Sequence, residues 1–174
     1  LLRRLGPGLV ADLALLGAHD DPRRIVPLLH ASRSPAAERR GAAIRGLALV
    51  DDESARSAVR AALADARADV RRIATELVGG WKREADRDAL VRRLDDADLG
   101  VRVEAARALG HLGAERSAPA LARALGCELA RTPGAPPHEA ASARFLADLV
   151  AVLAATPGAE SDRALLGALG ARHP

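Results

Sequence analysis

Sliding the chain along itself by 31 residues brings its apolar positions into columns. Leu16, Leu47, Val78 and Leu109 align, as do Leu28, Val59, Leu90 and Leu121. Ala43, Ala74 and Ala105 form another column, Leu63, Leu94 and Leu125 a further one, and Val50, Trp81 and Leu112 another. Gly17, Gly79 and Gly110 also coincide. Within each unit these positions lie three and four residues apart, the spacing of one helical face. Two such stripes per unit, parted by a short polar or Gly-containing break, predict a helical hairpin. Helix pairs are expected near 7–32, 35–65, 67–96, 98–127 and 138–171, as one domain over 1–174. A loop insertion at 128–137 carries the break Thr132-Pro-Gly-Ala-Pro-Pro137, which pushes the last pair out of register. That pair, with Phe145, Leu149, Val152 and Leu153 on one face and Leu165, Leu166 and Leu169 on the other, reads as a terminal cap. Asp21-Pro22 and Ser34-Pro35 each supply an N-cap acceptor followed by Pro at a first helical position. Asp51-Asp52 and Gly113 mark turns between paired helices.

Composition narrows the fold further. Hydrophobic residues make up 49% of the chain but aromatic residues 1%, namely Trp81 and Phe145, with no Tyr or Met. Ala and Leu, the best helix formers, fill thin helix pairs. They suit a thick β-sandwich or α/β core poorly. The net charge of +3 arises from 26 basic against 23 acidic residues, so basicity is a weak argument for nucleic acid. Cys127 is the one cysteine, which excludes an internal disulfide or cysteine metal cluster and fits a reducing cytoplasm. No apolar run is long enough to span a bilayer. The opening LLRRLGPGLVADLALLG has the look of a signal peptide, but Asp12 and Gly6-Pro7 interrupt it. The start at Leu1 leaves room for preceding residues.

The fourth unit, DADLGVRVEAARALGHLGAERSAPALARAL, carries Asp96, Val101-Arg102, Ala105-Ala106, Leu109-Gly110, Leu112-Gly113 and Ala120-Leu121. The third repeats this as Asp65, Val70-Arg71, Ala74, Val78-Gly79 and Leu90; the second keeps Arg40, Ala43, Leu47 and Leu63. This pattern resembles the HEAT-like repeats first described in phycobilisome lyase subunits. The resemblance implies an all-α solenoid of about five HEAT-like hairpins. It leaves function open, because the same repeat serves adaptors, lyase subunits and a family of DNA glycosylases.

Two sets of charged positions follow. Arg40, Arg71 and Arg102 share a column, and Ser34, Asp65 and Asp96 stand six residues before them. A column of Arg could bind phosphate. An acid opening each first helix also complements the helix dipole, and an Arg one repeat away can pair with it. The resemblance carries this Asp/Arg ladder as a tie between repeats, and the structural reading is preferred for Arg40, Asp65, Arg71, Asp96 and Arg102. The ladder is expected to end at the break, where Cys127 takes the acid's place and Ala143 the Arg's. The second set lies on the second helices, which in HEAT-type pairs generally line the concave side. Arg56, Arg60, Arg87, Arg92 and Arg123, with His30 in the Arg92 column, are expected to face solvent as a partner-binding stripe. The bland alternative is a solvated helix face. Asp86 and Asp88 interrupt the stripe, which weakens a nucleic-acid reading.

Catalytic chemistry finds no foothold. A nucleobase enzyme needs aromatic platforms and a carboxylate in a basic cleft, yet Trp81 falls in an apolar column and is expected in the core. His19, His30, His111, His138 and His173 lack metal-ligand spacing. No phosphate-cradling or nucleophile-elbow glycine pattern occurs. Cys127, His138 and Glu139 flank the long loop, but Cys127 reads better as a small filler than as a nucleophile. No catalytic, cofactor or metal residues are expected. The expected function is a non-catalytic cytoplasmic scaffold, adaptor or regulatory subunit, presenting a concave helical surface to another protein with an acidic surface. The loop at 131–138 is a second contact candidate. Nucleic-acid binding is the alternative, ahead of a lyase-type or glycosylase-type enzyme subunit, and no membrane partner is expected.

Overall fold

The computed structural model describes residues 25–131, 140–155 and 158–170. Among these every regular element is helical: the fold class is all-α, of the α-solenoid type. The helices are α1 (Ile25–Ala31), α2 (Ala37–Ala48), α3 (Glu53–Ala61), α4 (Ala68–Gly80), α5 (Arg87–Arg93), α6 (Leu99–His111), α7 (Ala114–Arg131), α8 (Ala140–Ala154) and α9 (Ala159–Gly170). Short 3₁₀ turns at Ala62–Ala64 and Glu84–Asp86 extend α3 and lead into α5. The chain divides into two compact units, Leu1–Val78 and Gly79–Pro174.

In the first unit α1 packs on α2 and α3, and α2 on α3. In the second, α6 packs on α5, α7 and α8, while α7, α8 and α9 pack on one another. The periodic columns are the cores of these units. Leu28, Val59, Leu90 and Leu121 are each fully buried, as are Leu47, Val78 and Leu109. Ala43, Ala74 and Ala105 are equally inaccessible, and small side chains there let the helices sit close. Asp52 and Asp98 cap α3 and α6, each accepting a bond of 3.0 Å from a backbone N–H three residues on, Ala55 and Val101.

Several expectations need correcting. The Ser34-Pro35 pair does not open α2, which begins at Ala37. Ser34 Oγ instead accepts from the Ala36 N–H at 3.3 Å, ordering the turn before the helix. The insertion expected at 128–137 begins later, because α7 continues to Arg131. The column of Val50, Trp81 and Leu112 is half-buried rather than core, since it falls where α2, α4 and α6 end and turn. On α9 Leu166 is 69% exposed, so it lies off the packed face that Phe145, Leu149 and Leu153 form on α8. The first helix of the first pair, residues 132–139 and His173 lie outside the described residues.

Glycines act by close approach. A Cβ on Gly79 would lie 2.4 Å from that of Ala108, and one on Gly110 would lie 3.2 Å from Val152. These close approaches account for Gly79 and Gly110. Gly113 adopts φ 107° in the α6–α7 turn, and Lys82 holds φ 51° at the equivalent point after α4. Gly126, in the middle of α7, meets nothing within 4 Å. Gly79→Ala should therefore lower stability by about 2 kcal/mol through overpacking. Gly126→Ala should raise it by about 0.5–1 kcal/mol through helix propensity. Urea denaturation followed by circular dichroism separates the two; equal effects would refute the packing account.

Candidate functional site

The ladder arginines share one local geometry. Arg40 Nη1 donates to the carbonyls of Ser34 at 2.9 Å and Pro35 at 3.0 Å. Arg71 Nη1 does the same to Asp65 at 2.8 Å and Ala66 at 3.1 Å. Arg102 Nη1 repeats it to Asp96 and Ala97, both at 3.0 Å. Each Arg thus satisfies carbonyls in the turn that leads into its own helix, which no helical N–H can reach. The acid of the column orders the same turn: Asp65 Oδ1 accepts from Arg67 N at 2.9 Å and Asp96 Oδ1 from Asp98 N at 3.0 Å.

The remaining guanidinium nitrogens reach forward. Arg40 grips Asp65 in a bidentate pair, with Nε to Oδ2 and Nη2 to Oδ1 both at 2.7 Å. These two hydrogen bonds hold the Asp65 carboxyl below its usual range, and the carboxylate raises the Arg40 guanidinium in return. In the second unit Arg102 Nη2 meets Glu128 at 3.2 Å, and both side chains are nine-tenths or more buried. The ladder therefore does not end at Cys127. Cys127 is exposed, and Glu128, one position later on α7, supplies the acid. Sequence columns missed Glu128 because it sits one residue out of register.

The expected partner stripe fares differently. Arg87 does not face solvent but is buried. Its Nε and Nη2 clasp Glu84 at 2.8 Å, Nη1 binds the Gly113 carbonyl at 3.1 Å and Ser117 Oγ, and Nη2 reaches the Leu112 carbonyl at 3.3 Å. It caps the end of α6 and ties α5 to α7. Arg116 also binds Glu84, at 3.1 Å. Arg87 first, and then Arg116, depress the Glu84 carboxyl to about 2. Arg56 and Arg60 are half-buried and already hold Glu53, at 3.0 and 2.8 Å, with Asp51 also on Arg56. Arg123 is exposed and pairs with Asp95 at 2.9 Å. His30 and Arg92 are exposed. Arg163, unselected by the 31-residue columns because it follows the insertion, is exposed on α9.

An open groove of about 730 Å³ runs along the turn side of the second unit, over Leu112, Ala151, Val152 and Ala155 between charged rims. A second, of about 600 Å³, lies over the Arg40–Asp65 pair, beside Ser54, Ser57 and Ala61 of α3. Among the described residues no group of His, Cys, Asp and Glu could hold a metal ion. No described helix is long and apolar enough to cross a membrane.

Removing one side of the buried pair should be costly. Glu128→Ala is expected to destabilise by about 3–5 kcal/mol, leaving Arg102 charged and buried. Cys127→Ala should stay within about 0.5 kcal/mol, being exposed. Similar losses in urea titrations would overturn this assignment of the acid. The Asp65 carboxyl is depressed in the folded state, so its stabilisation is full above its unfolded value near 3.8 and fades as pH falls through the folded value. Asp65→Asn should be less stable than the parent by about 2 kcal/mol at pH 7. The gap between the two proteins should close as the pH falls through the folded value of Asp65, and a gap independent of pH would refute the ion pair's role.

Residues 57–131 match the model of the family described as HEAT repeats, a segment running from α3 to the end of α7. No curated protein matches the chain. Among solved structures, the crystal structure of an engineered protein is similar, with a TM-score of 0.46 and 20% identity, covering 93% of this chain and 87% of that one. The described fold and the matched segment together support a HEAT-like repeat family for this chain.

Proposed function

We propose that this chain is a non-catalytic protein-interaction scaffold, which receives another protein on its second helices. The observation that carries the reading is the HEAT-repeat match across residues 57–131, since such repeats are generally protein-interaction scaffolds. The partner's contact surface is acidic in this reading, answering the arginines exposed on the second helices of the second unit, Arg92 and Arg123. Arg56, Arg60 and Arg87 drop out of the binding set because their own acids already occupy them. The same neutralisation weighs against the nucleic-acid alternative, which needs unpaired cations along a continuous track. The narrower kinship with phycobilisome-lyase-type repeats rests on the Val101-Arg102 and Leu109-Gly110 pattern and adds no catalytic group. A cytoplasmic setting belongs to the reading and suits an exposed free thiol at Cys127.

Affinity capture on immobilised chain, with and without nuclease, followed by size-exclusion analysis of the eluted complex, tests the proposal. A protein that remains bound in a defined stoichiometry after nuclease is the expected result. Bound material that disappears with nuclease would replace the scaffold by a nucleic-acid binder.

A further inference from the structure

Within the second unit, the second helices α5, α7 and α9 are neighbours in that order: α5 packs on α7, and α7 on α9. Each carries an exposed arginine, Arg92, Arg123 and Arg163; Arg116, also exposed on α7, is engaged by Glu84. Packed helices lie about 8–10 Å apart, and Arg92 and Arg123 hold the same position of successive 31-residue repeats. Among the described residues Arg92 and Arg163 have no ion-pair partner, and Arg123 shares its charge with Asp95. An exposed pair of that kind contributes no more than about 1 kcal/mol, so another carboxylate can displace Asp95.

A shallow groove of about 280 Å³ lies between α7 and α9, lined by Pro119, Ala122, Arg163 and Ala164. Its apolar wall is small and smooth, and Arg123 directly follows Ala122 along α7. Successive helices thus each carry an exposed cation, and the groove beside Arg163 has space for a small apolar side chain. Asp88, Asp95 and Asp162 are also exposed on or beside these helices. A polyphosphate backbone, charged at every unit, would be set against them. A chain that carries carboxylates only at intervals avoids them.

Resting on the scaffold reading, we infer that Arg92, Arg123 and Arg163 form a row across α5, α7 and α9 that receives an extended acidic segment of a partner protein. An extended strand rises about 3.3 Å per residue, so helix spacing matches carboxylates three residues apart. The segment's pattern is an acid at every third position, with small apolar residues between. Its affinity comes from three charge-assisted contacts at an exposed site, and therefore weakens with added salt.

The test uses a short fluorescein-labelled peptide with Glu at every third position and Ala between. A peptide of the same composition with its Glu residues contiguous and an oligodeoxythymidine serve as competing probes, all titrated with the full chain by fluorescence anisotropy. The spaced peptide should bind at least about tenfold tighter than either, and Arg92→Glu or Arg163→Glu should each weaken it about tenfold. Arg45→Glu, exposed on α2 in the other unit, should leave binding unchanged. Tighter binding of the oligonucleotide or the contiguous peptide would overturn the inference. So would indifference to Arg163→Glu, or no measurable binding of any probe. A captured protein partner that remains bound to the Arg92→Glu, Arg163→Glu double variant would sink this site while leaving the scaffold reading intact.

Discussion

The structure depends on an arginine that points two ways. In α2, α4 and α6 the same guanidinium donates backwards to the carbonyls of the preceding turn and, at Arg40 and Arg102, forwards to an acid one hairpin on. A hairpin of Ala and Leu buries little area per residue and has few large side chains to interlock. Apolar contact alone would tolerate sliding between such hairpins. The bidentate Arg40–Asp65 pair does not, because both of its bonds need one geometry. Arginine suits the task better than lysine: its planar fork serves carbonyls on one side and a carboxylate on the other without losing charge.

That device consumes the surface charge on which a polyanion-binding reading would rely. Arg40 and Arg102 are held in the ladder, Arg87 is buried against α6 and α7, and Arg56 and Arg60 embrace Glu53. Counting basic residues therefore overstates what a partner can meet. The cations that remain exposed on second helices are few and separated, and acids alternate with them. Such a surface selects by pattern more than by total charge.

The core was legible in the sequence because its columns obey one period: Leu28, Val59, Leu90 and Leu121 are buried at every repeat. Periodicity names the buried face but not the neighbour across it, and the misreadings share that cause. Arg87 falls on a second helix at the Arg56 position, yet the α6 carbonyls and Ser117 lie within its reach and draw it inward. The Gly79 and Gly110 column was visible as a pattern, while its reason, the closeness of Ala108 and Val152, exists only in three dimensions. Trp81 shares a column with Leu112 but sits where the helix turns, so a large ring there is half-covered. Arg163 was hidden by the insertion, which removes it from the register of Arg92 and Arg123.

The joint after α7 shows how a ladder survives a broken period. In the second and third hairpins the acid stands in a turn, at Asp65 and Asp96, as the preceding helix ends. At the fourth, α7 continues through the equivalent point to Arg131, so position 127 is a helical, exposed site occupied by Cys127. A carboxylate there would point into solvent. One residue further the helix has rotated by about 100°, and position 128 faces Arg102. Glu128 carries one more methylene than the aspartates of the earlier joints, and its carboxylate ends nine-tenths buried beside the guanidinium. The change from turn to helix thus explains both the shift by one and the change from Asp to Glu. Lengthening the chain between hairpins did not cost the joint its ion pair, because the insertion lies beyond the residue that makes it.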